Sequence, residues 1–398
     1  MANLHFEDRF DGTLSAWTTY IGTSNTVVIA TQDLSSKLRF VDNAAADYGS
    51  AKTSITFPTD EAYIIEFDMM VASTGSLTFE LLDASNTVLA TAELTSNTLT
   101  FNTDTVGDST TSWTDGTYNQ VTLLVDPVNN TIKCYWYDLT YGSSSRNPRQ
   151  MLAEKAFSGT TATQIIFRTD STKTGNAYVD EVRSYTPDWC IVGPSIADGK
   201  PDWSSDPSTT YRLTGTPVEN GFPSYHLGVL LGSNNYVGNL GFGGARMAEI
   251  EVFAQETIVD LGFKKVIIFG GLNDFNNGGT ALEVQADLLS ITDTLVAGGI
   301  FPGNIYINTC YWIAIIIGSE NTERVAFNNW LPGFCADNGY TMVDTDATHS
   351  DNVAEQIVAA YDWGDGTHCN STGSQKLAQN AYDLIPATIA ANTQGYIS

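Results

Sequence analysis

Residues 265–309, KVIIFGGLNDFNNGGTALEVQADLLSITDTLVAGGIFPGNIYINT, contain the pattern that decides the fold of the C-terminal half of the chain. An apolar run at Lys265–Phe269 is followed by a helical pattern at Ala281–Ala297 and by a second apolar run at Asn304–Thr309. Apolar runs of this length, separated by a helix of this length, are typical of parallel strands joined by a crossover helix. The stretch therefore predicts a β-α-β unit of a parallel sheet.

The same alternation continues on both sides of this unit. Further strand-like apolar runs lie at Trp189–Gly193 and at Tyr340–Val343. A sheet assembled from such units carries helices on both of its faces. We therefore predict a three-layer α/β/α fold with a parallel sheet for residues 188–398. The other predicted helices of this half are Ala245–Leu261, Glu323–Asp337 and Ser374–Ala391.

Residues 1–187 show a different pattern. Short runs rich in Val, Ile, Phe and Thr are separated by polar turn clusters such as Asp83–Asn86 and Thr172–Asn176. Many short strands with such turns predict an antiparallel β-sandwich of the jelly-roll kind. At 398 residues the chain exceeds what one core usually organises, and we place the domain boundary near Pro187. The predicted strands are Ala62–Met69, Ser76–Leu82, Thr87–Leu94, Asn119–Asp126, Thr131–Tyr137, Thr163–Arg168 and Ala177–Tyr185.

The charge balance excludes two classes of partner. Forty-five acidic residues stand against 18 basic ones, a formal net charge of −27. Such a field repels nucleic acid and anionic membrane surfaces, so we expect no nucleic-acid partner. The longest apolar run, Cys310–Ile317, is far shorter than a bilayer span, and we expect no membrane insertion. Met1–Asp8 lacks the features of a secretory signal. We expect an extracellular or virion-associated location, with a cytoplasmic one left open.

The cysteines and acidic clusters do not indicate a metal centre. The chain has five cysteines, an odd number, with no CxxC pair and no Cys/His metal spacing. Asp and Asn side chains are calcium ligands, but no EF-hand-like loop is present. We therefore assign no metal and no cofactor, and a homo-oligomeric state is left open. The cysteines are Cys134, Cys190, Cys310, Cys335 and Cys369.

Ser195 is a candidate nucleophile because of its place after a predicted strand. It lies in the segment VGPSIADG at 192–199, and ligands gather at the carboxyl ends of strands in parallel α/β sheets. A serine on such a turn can present its hydroxyl to solvent and its N–H to an oxyanion. A plain turn serine is the commoner meaning of such a segment, so Ser195 needs partners.

The segment DGTHCN at 365–370 supplies a candidate base. A serine hydroxyl near its free pKa is a poor nucleophile and needs a neighbouring base, usually histidine. The histidine needs a third group to fix its tautomer. Asp365, three residues before His368, can supply that group on a tight turn. A capping aspartate beside a surface histidine would give the same spacing, and this alternative stays open.

Two glycine-rich stretches are candidates for oxyanion donors. GFGGA at 241–245 opens a predicted helix, where small residues leave backbone N–H groups exposed. GGLND at 270–274 follows the apolar run Val266–Phe269. Asn273 would therefore project its amide at the carboxyl edge of the sheet. Either stretch can also be a glycine turn without a catalytic role.

Taken together, these segments resemble the SGNH/GDSL hydrolase family over about residues 188–391. VGPSIADG is similar to the first block of that family, NLGFGGARM to the second and GGLND to the third. DGTHCN, followed by TGSQKLAQ, is similar to the fifth. The resemblance implies acyl transfer through a serine nucleophile. It assigns Ser195 as nucleophile, His368 as base, Asp365 as orienting acid, and Ser195, Gly244 and Asn273 as oxyanion donors.

The chain departs from the family pattern at one position. The family usually has Asp immediately before the serine, where this chain has Pro194. Proline fixes φ and lacks an N–H, but the N–H that the resemblance assigns to the oxyanion belongs to Ser195. The change therefore leaves the implied donors in place.

Four further residues have alternative interpretations. Tyr311 and Trp312 follow a predicted strand and either line an apolar wall for substrate or pack in the interior. His349 is a rival base, part of a loop that gates the site, or a surface histidine. Cys369 adjoins the candidate base, but adjacent residues on a turn point apart, so Ser195 fits the role of nucleophile better.

The N-terminal half resembles concanavalin-like, laminin-G-type lectin sandwiches through WTDGTYNQVTLLVDPVNNTIKCYWYD at 113–138 and AYVDEVRSY at 177–185. The resemblance implies carbohydrate binding, in which exposed aromatic rings stack on sugars. Core packing is the alternative for each aromatic residue. The candidates are Trp17, Trp113, Trp136 and Tyr141.

These observations predict a multidomain β plus α/β protein that hydrolyses carboxylic esters with a serine nucleophile. A lectin-like sandwich joined to an esterase half suggests O-acetyl groups of a polysaccharide, or of another O-acylated glycan, as the substrate. One alternative is a phage-tail or adhesion-type carbohydrate-binding protein with a degenerate hydrolase domain. A second is a lipase or thioesterase that acts on acyl chains.

Overall fold

The fold is described from a computed structural model. The described residues divide into two compact units, one formed by residues 4–186 and the other by residues from 187 onward together with Asn3. The structure describes residues 3–8, 10, 13–21, 25–32, 35–42, 48–71, 75–95, 98–102, 104–105, 119–138, 150–157, 161–170, 173–198, 223–232, 235–241, 243–351 and 356–385.

The N-terminal unit is built from antiparallel strands. Its strands are β1 (Leu4–Asp8), β2 (Thr18–Ile21), β3 (Thr26–Gln32), β4 (Ser35–Asp42), β5 (Gly49–Ser54), β6 (Tyr63–Val71), β7 (Ser76–Asp83), β8 (Val88–Thr95), β9 (Thr98–Phe101), β10 (Asp104–Thr105), β11 (Asn119–Asp126), β12 (Thr131–Asp138), β13 (Gln150–Ala156), β14 (Ala162–Arg168) and β15 (Gly175–Tyr185). One sheet has the order β13-β12-β11-β6-β15-β4-β3, with β1 also paired to β15. The other has the order β10-β9-β8-β7-β14-β5-β2.

The two sheets share one apolar core. Alternate residues of β6 and β7 are buried in it, as the period of two in a strand requires. Phe67 of β6 stacks on Phe79 of β7 with ring centroids 4.6 Å apart, and Phe167 of β14 meets both rings. The predicted antiparallel β-sandwich is therefore confirmed.

Of the four aromatic residues proposed for sugar stacking, Trp17 is the one whose side chain the structure describes. Trp17 is 6% exposed and belongs to the sandwich core. Its indole N–H donates to Asp8 Oδ2 at 2.8 Å, which satisfies the one polar group of the ring. Trp17 is therefore a packing residue. Trp113, Tyr141 and the side chain of Trp136 lie outside the described part of the chain.

The C-terminal unit contains a parallel sheet with the order β17-β16-β18-β19-β20, flanked by helices. This confirms the predicted α/β fold. Its strands are β16 (Trp189–Gly193), β17 (Val237–Gly241), β18 (Lys265–Ile268), β19 (Ile305–Asn308) and β20 (Thr341–Val343), with a small pair β21 (Ser350–Asp351) and β22 (Gln356–Ile357). Its helices are α1 (Ser195–Asp198), α2 (Pro223–Leu231), α3 (Met247–Phe253), α4 (Leu272–Asn276), α5 (Ala281–Ala297), α6 (Ser319–Asn338), α7 (Asp346–His349) and α8 (Ser371–Tyr382).

Strand β17 is absent from the sequence prediction, and its composition explains why. The strand, VGNLG, has two glycines and no long apolar run. Gly238 is needed because the ring of Phe263 lies against it. A Cβ at position 238 would come within 2.7 Å of Phe263 Cζ. Gly238 thus weakens the strand pattern in the sequence and at the same time allows β17 to pack against Phe263.

Helix boundaries differ from the predictions at several points. The helix predicted at Ala245–Leu261 is α3 followed by a π-helical turn at Ala254–Val259. Helix α6 begins at Ser319, four residues before the predicted start, and contains Pro332. The predicted end of the last helix, Ala391, lies outside the described residues. No helix among the described residues is long and apolar enough to cross a membrane.

Candidate active site

Ser195 lies at the carboxyl end of β16, the strand between β17 and β18. The strand ends at Gly193, whose φ of 155° favours glycine. A Cβ at this position would lie 2.6 Å from the carbonyl oxygen of Phe269, so only glycine lets β16 end this close to the chain that follows β18. Ser195 then begins the short helix α1 and is 6% exposed.

Asp365 organises the turn that carries His368. Its Oδ1 accepts the backbone N–H groups of Thr367 and His368, both at 2.8 Å. Its Oδ2 lies 2.6 Å from Nδ1 of the His368 ring. The carboxylate thus fixes both the backbone of the turn and the orientation of the imidazole.

The turn brings the imidazole to the serine. Nε2 of His368 lies 2.9 Å from Ser195 Oγ. Because a carboxylate only accepts hydrogen bonds, Nδ1 carries the proton of the neutral ring and Nε2 presents a lone pair to the serine hydroxyl. Asp365, His368 and Ser195 therefore form one continuous hydrogen-bonded line.

The ionisation of Asp365 follows from its contacts. Burial tends to raise the pKa of this carboxyl, but hydrogen bonds from the His368 ring and from the N–H groups of His368 and Thr367 outweigh it. The pKa is lowered as a result. Asp365 is then ionised throughout the neutral range and acts as a hydrogen-bond acceptor for the His368 ring.

The candidate oxyanion donors follow the two strands that flank β16. Gly244 comes after β17, with a φ of 82°, and Asn273 comes after β18 in the first turn of α4. Nδ2 of Asn273 donates one hydrogen bond to the carbonyl oxygen of Ala245 at 2.9 Å. An amide has two such protons, so the second is available to a ligand. The carboxyl ends of three neighbouring strands thus carry Ser195, Gly244 and Asn273.

Asp274 adds a contact that the sequence interpretation did not assign. Its carboxylate oxygens accept the N–H of Met247 at 3.3 and 3.2 Å, at the start of α3. Together with the Asn273–Ala245 bond, this contact ties the loop after β17 to the loop after β18. The signal in the sequence is the adjacency of two polar side chains, Asn273 and Asp274, at one strand end.

The remaining candidates lie behind the turn or beside it. Tyr311 is 1% exposed, with its hydroxyl 3.4 Å from the carbonyl oxygen of Thr367, so it occupies a packing position. Trp312 is partly exposed and lies 5.0 Å from the guanidinium of Arg324. His349 is fully buried and bonded to other groups, which makes it neither a surface histidine nor a rival base.

The thiols of the five cysteines are buried, and none of them forms a disulfide. Burial raises the pKa of the Cys369 thiol, next to His368, to about 12. A thiol with such a pKa is a poor nucleophile at neutral pH. Among the described residues, no group of three or more His, Cys, Asp or Glu side chains is arranged to hold a metal ion.

Comparison with known proteins gives a family for this half of the chain. Residues 191–376, which include Ser195, Asn273 and the turn of Asp365 and His368, match the model of the GDSL-like lipase/acylhydrolase family. The C-terminal half belongs to this family. By family, the GDSL-like half is an ester hydrolase. No curated protein sequence matches the chain.

Several solved structures are similar to the GDSL-like half. A GDSL-like lipase from Bacteroides thetaiotaomicron VPI-5482 is 16% identical, with 52% of this chain and 89% of that chain covered and a TM-score of 0.38. A member of the lipolytic G-D-S-L family from Veillonella parvula DSM 2008 is 15% identical, covering 50% and 97%, with a TM-score of 0.39. The acetyl xylan esterase AlAXEase is 14% identical, covering 50% and 99%, with a TM-score of 0.39.

Asp274 gives a prediction for the pH dependence of stability. Burial raises the pKa of its carboxyl to about 6, above the value of the unfolded chain. The folded protein therefore binds the carboxyl proton of Asp274 more tightly than the unfolded chain does. Ionisation of Asp274 then lowers the stability of the fold as the pH rises through about 6. Asp274→Asn keeps an oxygen for the Met247 N–H but carries no charge. We expect its Tm to exceed the wild-type Tm at pH 8 and the gain to shrink at pH 5.

Thermal unfolding at both pH values measures this difference. Asp293→Asn, at an exposed position of α5, is the matched control and should leave the pH dependence unchanged. A Tm of Asp274→Asn below that of the wild type at pH 8 would contradict the prediction.

Proposed function

We propose that the GDSL-like half hydrolyses carboxylic esters with Ser195 as nucleophile, His368 as general base and Asp365 as the acid that orients it. The observation that carries the proposal is the line of contacts from Ser195 Oγ to His368 Nε2, 2.9 Å, and from His368 Nδ1 to Asp365 Oδ2, 2.6 Å. A nucleophile within hydrogen-bond reach of a base, itself oriented by a third group, is the arrangement that acyl transfer requires.

In the first half of the reaction, Ser195 Oγ attacks the ester carbonyl while His368 Nε2 takes the hydroxyl proton. Asp365 stabilises the imidazolium that forms, without taking a proton itself. The tetrahedral intermediate collapses, the C–O bond to the leaving alcohol breaks, and His368 returns the proton to that alcohol. An acyl-serine remains.

In the second half, water replaces the alcohol. His368 takes a proton from the water as its oxygen attacks the acyl carbonyl. The bond to Ser195 Oγ then breaks, the proton returns to the serine, and the carboxylic acid leaves. The enzyme is regenerated with no change in its own composition.

Three donors would stabilise the oxyanion in both halves. They are the N–H of Ser195, the N–H of Gly244 and the second amide proton of Asn273. The bond from Asn273 Nδ2 to Ala245 fixes the amide plane in advance, so that the donor does not have to reorganise as charge develops. The contact between Asp274 and Met247 supports the same two loops.

For the substrate, we propose O-acetyl groups of a neutral polysaccharide or a similar O-acylated glycan. The lectin-like resemblance of the N-terminal sandwich supports a glycan. The net charge of −27 supports an uncharged polymer, since an anionic one would be repelled. An extracellular or virion-associated location belongs to the same proposal, because such polymers lie outside the cell.

A second candidate, hydrolysis of acyl-chain esters, is favoured by apolar side chains near the turn. The N–H of Ala314 donates to the carbonyl oxygen of Gly366 at 2.8 Å, which places the loop after β19 beside the turn. Ile315 and Ile317 of that loop are 47% and 66% exposed, and Trp363 of the turn region is 51% exposed. Exposed apolar residues on two adjoining segments are a candidate binding surface for acyl chains.

Replacement of the nucleophile tests the mechanism. We expect Ser195→Ala to lower kcat on p-nitrophenyl acetate by at least about 10³-fold, because the acyl-enzyme cannot form. The variant should also lose labelling by a serine-directed fluorophosphonate. Ser319→Ala, at an exposed serine of α6, is the control and should label normally. Unchanged hydrolysis by Ser195→Ala would show that the mechanism is wrong, and an inert wild-type serine would favour an adhesion protein with a degenerate site.

Replacement of Asn273 tests the oxyanion donors. Asn273→Ala should lower kcat by about 10²- to 10³-fold, the range for loss of one such donor, while Ser195 still labels. The exposed Asn276 lies in the same short helix, so Asn276→Ala serves as the control. A kcat of Asn273→Ala equal to that of the wild type would remove Asn273 from the proposed site.

The substrate proposal is tested by acetate release. We expect the wild-type protein to release acetate from acetylated xylan, and Ser195→Ala to release none. A series of p-nitrophenyl esters from acetate to laurate tests the second candidate, which predicts that kcat/KM rises with chain length. Hydrolysis of the long esters alone, without acetate release from any acetylated glycan tried, would contradict the O-acetyl proposal.

A further inference from the structure

The segment 367–373, which carries His368 into α8, packs against three aromatic or imidazole side chains, of which Tyr311 and His349 are buried and Tyr361 is half-buried. Tyr311 comes from the loop after β19, His349 from the end of α7, and Tyr361 from the chain before the turn. We infer that His349 and Tyr311 are positioning residues that hold His368 at proton-transfer distance from Ser195. The inference rests on the proposed function, since it assigns these residues a role in the same reaction.

The two contacts lie on either side of His368. The hydroxyl of Tyr311 lies 3.4 Å from the carbonyl oxygen of Thr367, the residue before the base. Nε2 of His349 lies 3.1 Å from the carbonyl oxygen of Gly373, in the first turn of α8. Each side chain is a donor to a backbone carbonyl. The base is therefore bracketed by two donors that come from other elements of the fold.

The orientation of the His349 ring is itself fixed by a chain of donors. Because Nε2 donates to Gly373, Nδ1 accepts from the hydroxyl of Thr348 at 2.8 Å. The oxygen of Thr348 in turn accepts Nδ2 of Asn380, in α8, at 2.7 Å. The ring is 0% exposed and lies against Tyr311 and Tyr361, with centroids 5.4 and 5.0 Å away. Burial lowers the pKa of His349 to about 4, which keeps the ring neutral and this order of donors intact at neutral pH.

A buried arginine anchors the elements that supply both side chains. Arg324 of α6 is 1% exposed. Its Nη1 donates to the carbonyl oxygen of Cys310, the residue before Tyr311, at 2.6 Å. The same nitrogen pairs at 2.6 Å with Asp346, the first residue of the helix that ends at His349. Arg324 therefore links the segments that carry Tyr311 and His349 to helix α6.

The segment 367–373 has little room to move toward Tyr361. The backbone of Gly373 passes so close to Tyr361 that a Cβ at position 373 would lie 2.9 Å from Tyr361 Cβ. Loss of the His349 ring would open space behind the turn, and the turn could relax into it. A shift of about 1 Å in a reacting group can cost up to about 10²-fold in rate.

The test compares variants at position 349. His349→Leu fills much of the space but donates no hydrogen bond, whereas His349→Gln keeps an N–H donor. We expect His349→Leu to lower kcat on p-nitrophenyl acetate about tenfold or more, with KM changed less than about twofold, because the base and not the substrate surface is displaced. His349→Gln should recover part of the loss. His5→Gln, in the N-terminal unit, is the control and should leave kcat unchanged.

Activity per labelled serine separates positioning from a general structural role. In His349→Leu a displaced base lowers kcat even when kcat is counted per serine that fluorophosphonate labels, and His349→Gln should recover part of this loss. A fold defect alone would lower the amount of active protein and leave kcat per labelled serine at the wild-type value. Circular dichroism and the fraction of serine labelled by fluorophosphonate measure that amount.

Several results would overturn the inference. One is a folded His349→Leu with wild-type kcat per labelled serine while Ser195→Ala is inactive, which leaves the proposed function standing. If Ser195→Ala is active, the proposed function fails and the inference fails with it. If His349→Leu does not fold, Tyr311→Phe decides, because it removes only one oxygen. We expect it to lower kcat about two- to fivefold, the value of one modest hydrogen bond, and an unchanged kcat would refute the positioning role.

Discussion

The hydrogen bond between Ser195 Oγ and His368 Nε2 joins residues that lie 173 positions apart in the chain. Strand β16 brings the serine from within the parallel sheet, whereas the histidine comes from the turn before α8. The contact of 2.9 Å therefore depends on the tertiary fold of the chain between the two residues and not on a local pattern. Closing a loop of this length costs conformational entropy, which the packing of the sheet and helices offsets.

Close packing of neighbouring strands brings the site residues together at the edge of the sheet. Gly193 lets β16 end beside the carbonyl of Phe269, and Gly238 leaves space for the ring of Phe263. With β17, β16 and β18 side by side, their carboxyl ends bring the candidate donors and the proposed nucleophile to one edge. Polar side chains then join the loops, as Asn273 does at the carbonyl of Ala245. Backbone packing thus brings the strand ends together, and hydrogen bonds join the loops that follow them.

The sequence allows prediction where a structural property is local or repeats along the chain. The apolar runs of β16, β18 and β19 report burial on both faces, and Asp365 lies near enough to His368 for their contact to be expected. Strand β17 could not be predicted, because its glycines make sense only beside Phe263. The burial of His349 depends on α8 and on Tyr311, and Trp17 lies in a core shared by two sheets. No local pattern records such contacts.

The turn that joins Asp365 to His368 has a consequence for how the protein can change over evolutionary time. The proposed acid and base lie within four consecutive residues and fix one another through the backbone as well as the ring. Of the two contacts of the His368 ring, only the one between Nε2 and Ser195 Oγ then depends on the rest of the molecule. The proposed acid and base can therefore be inherited together as one short piece of chain, whereas Ser195 and the candidate oxyanion donors Gly244 and Asn273 lie in other pieces.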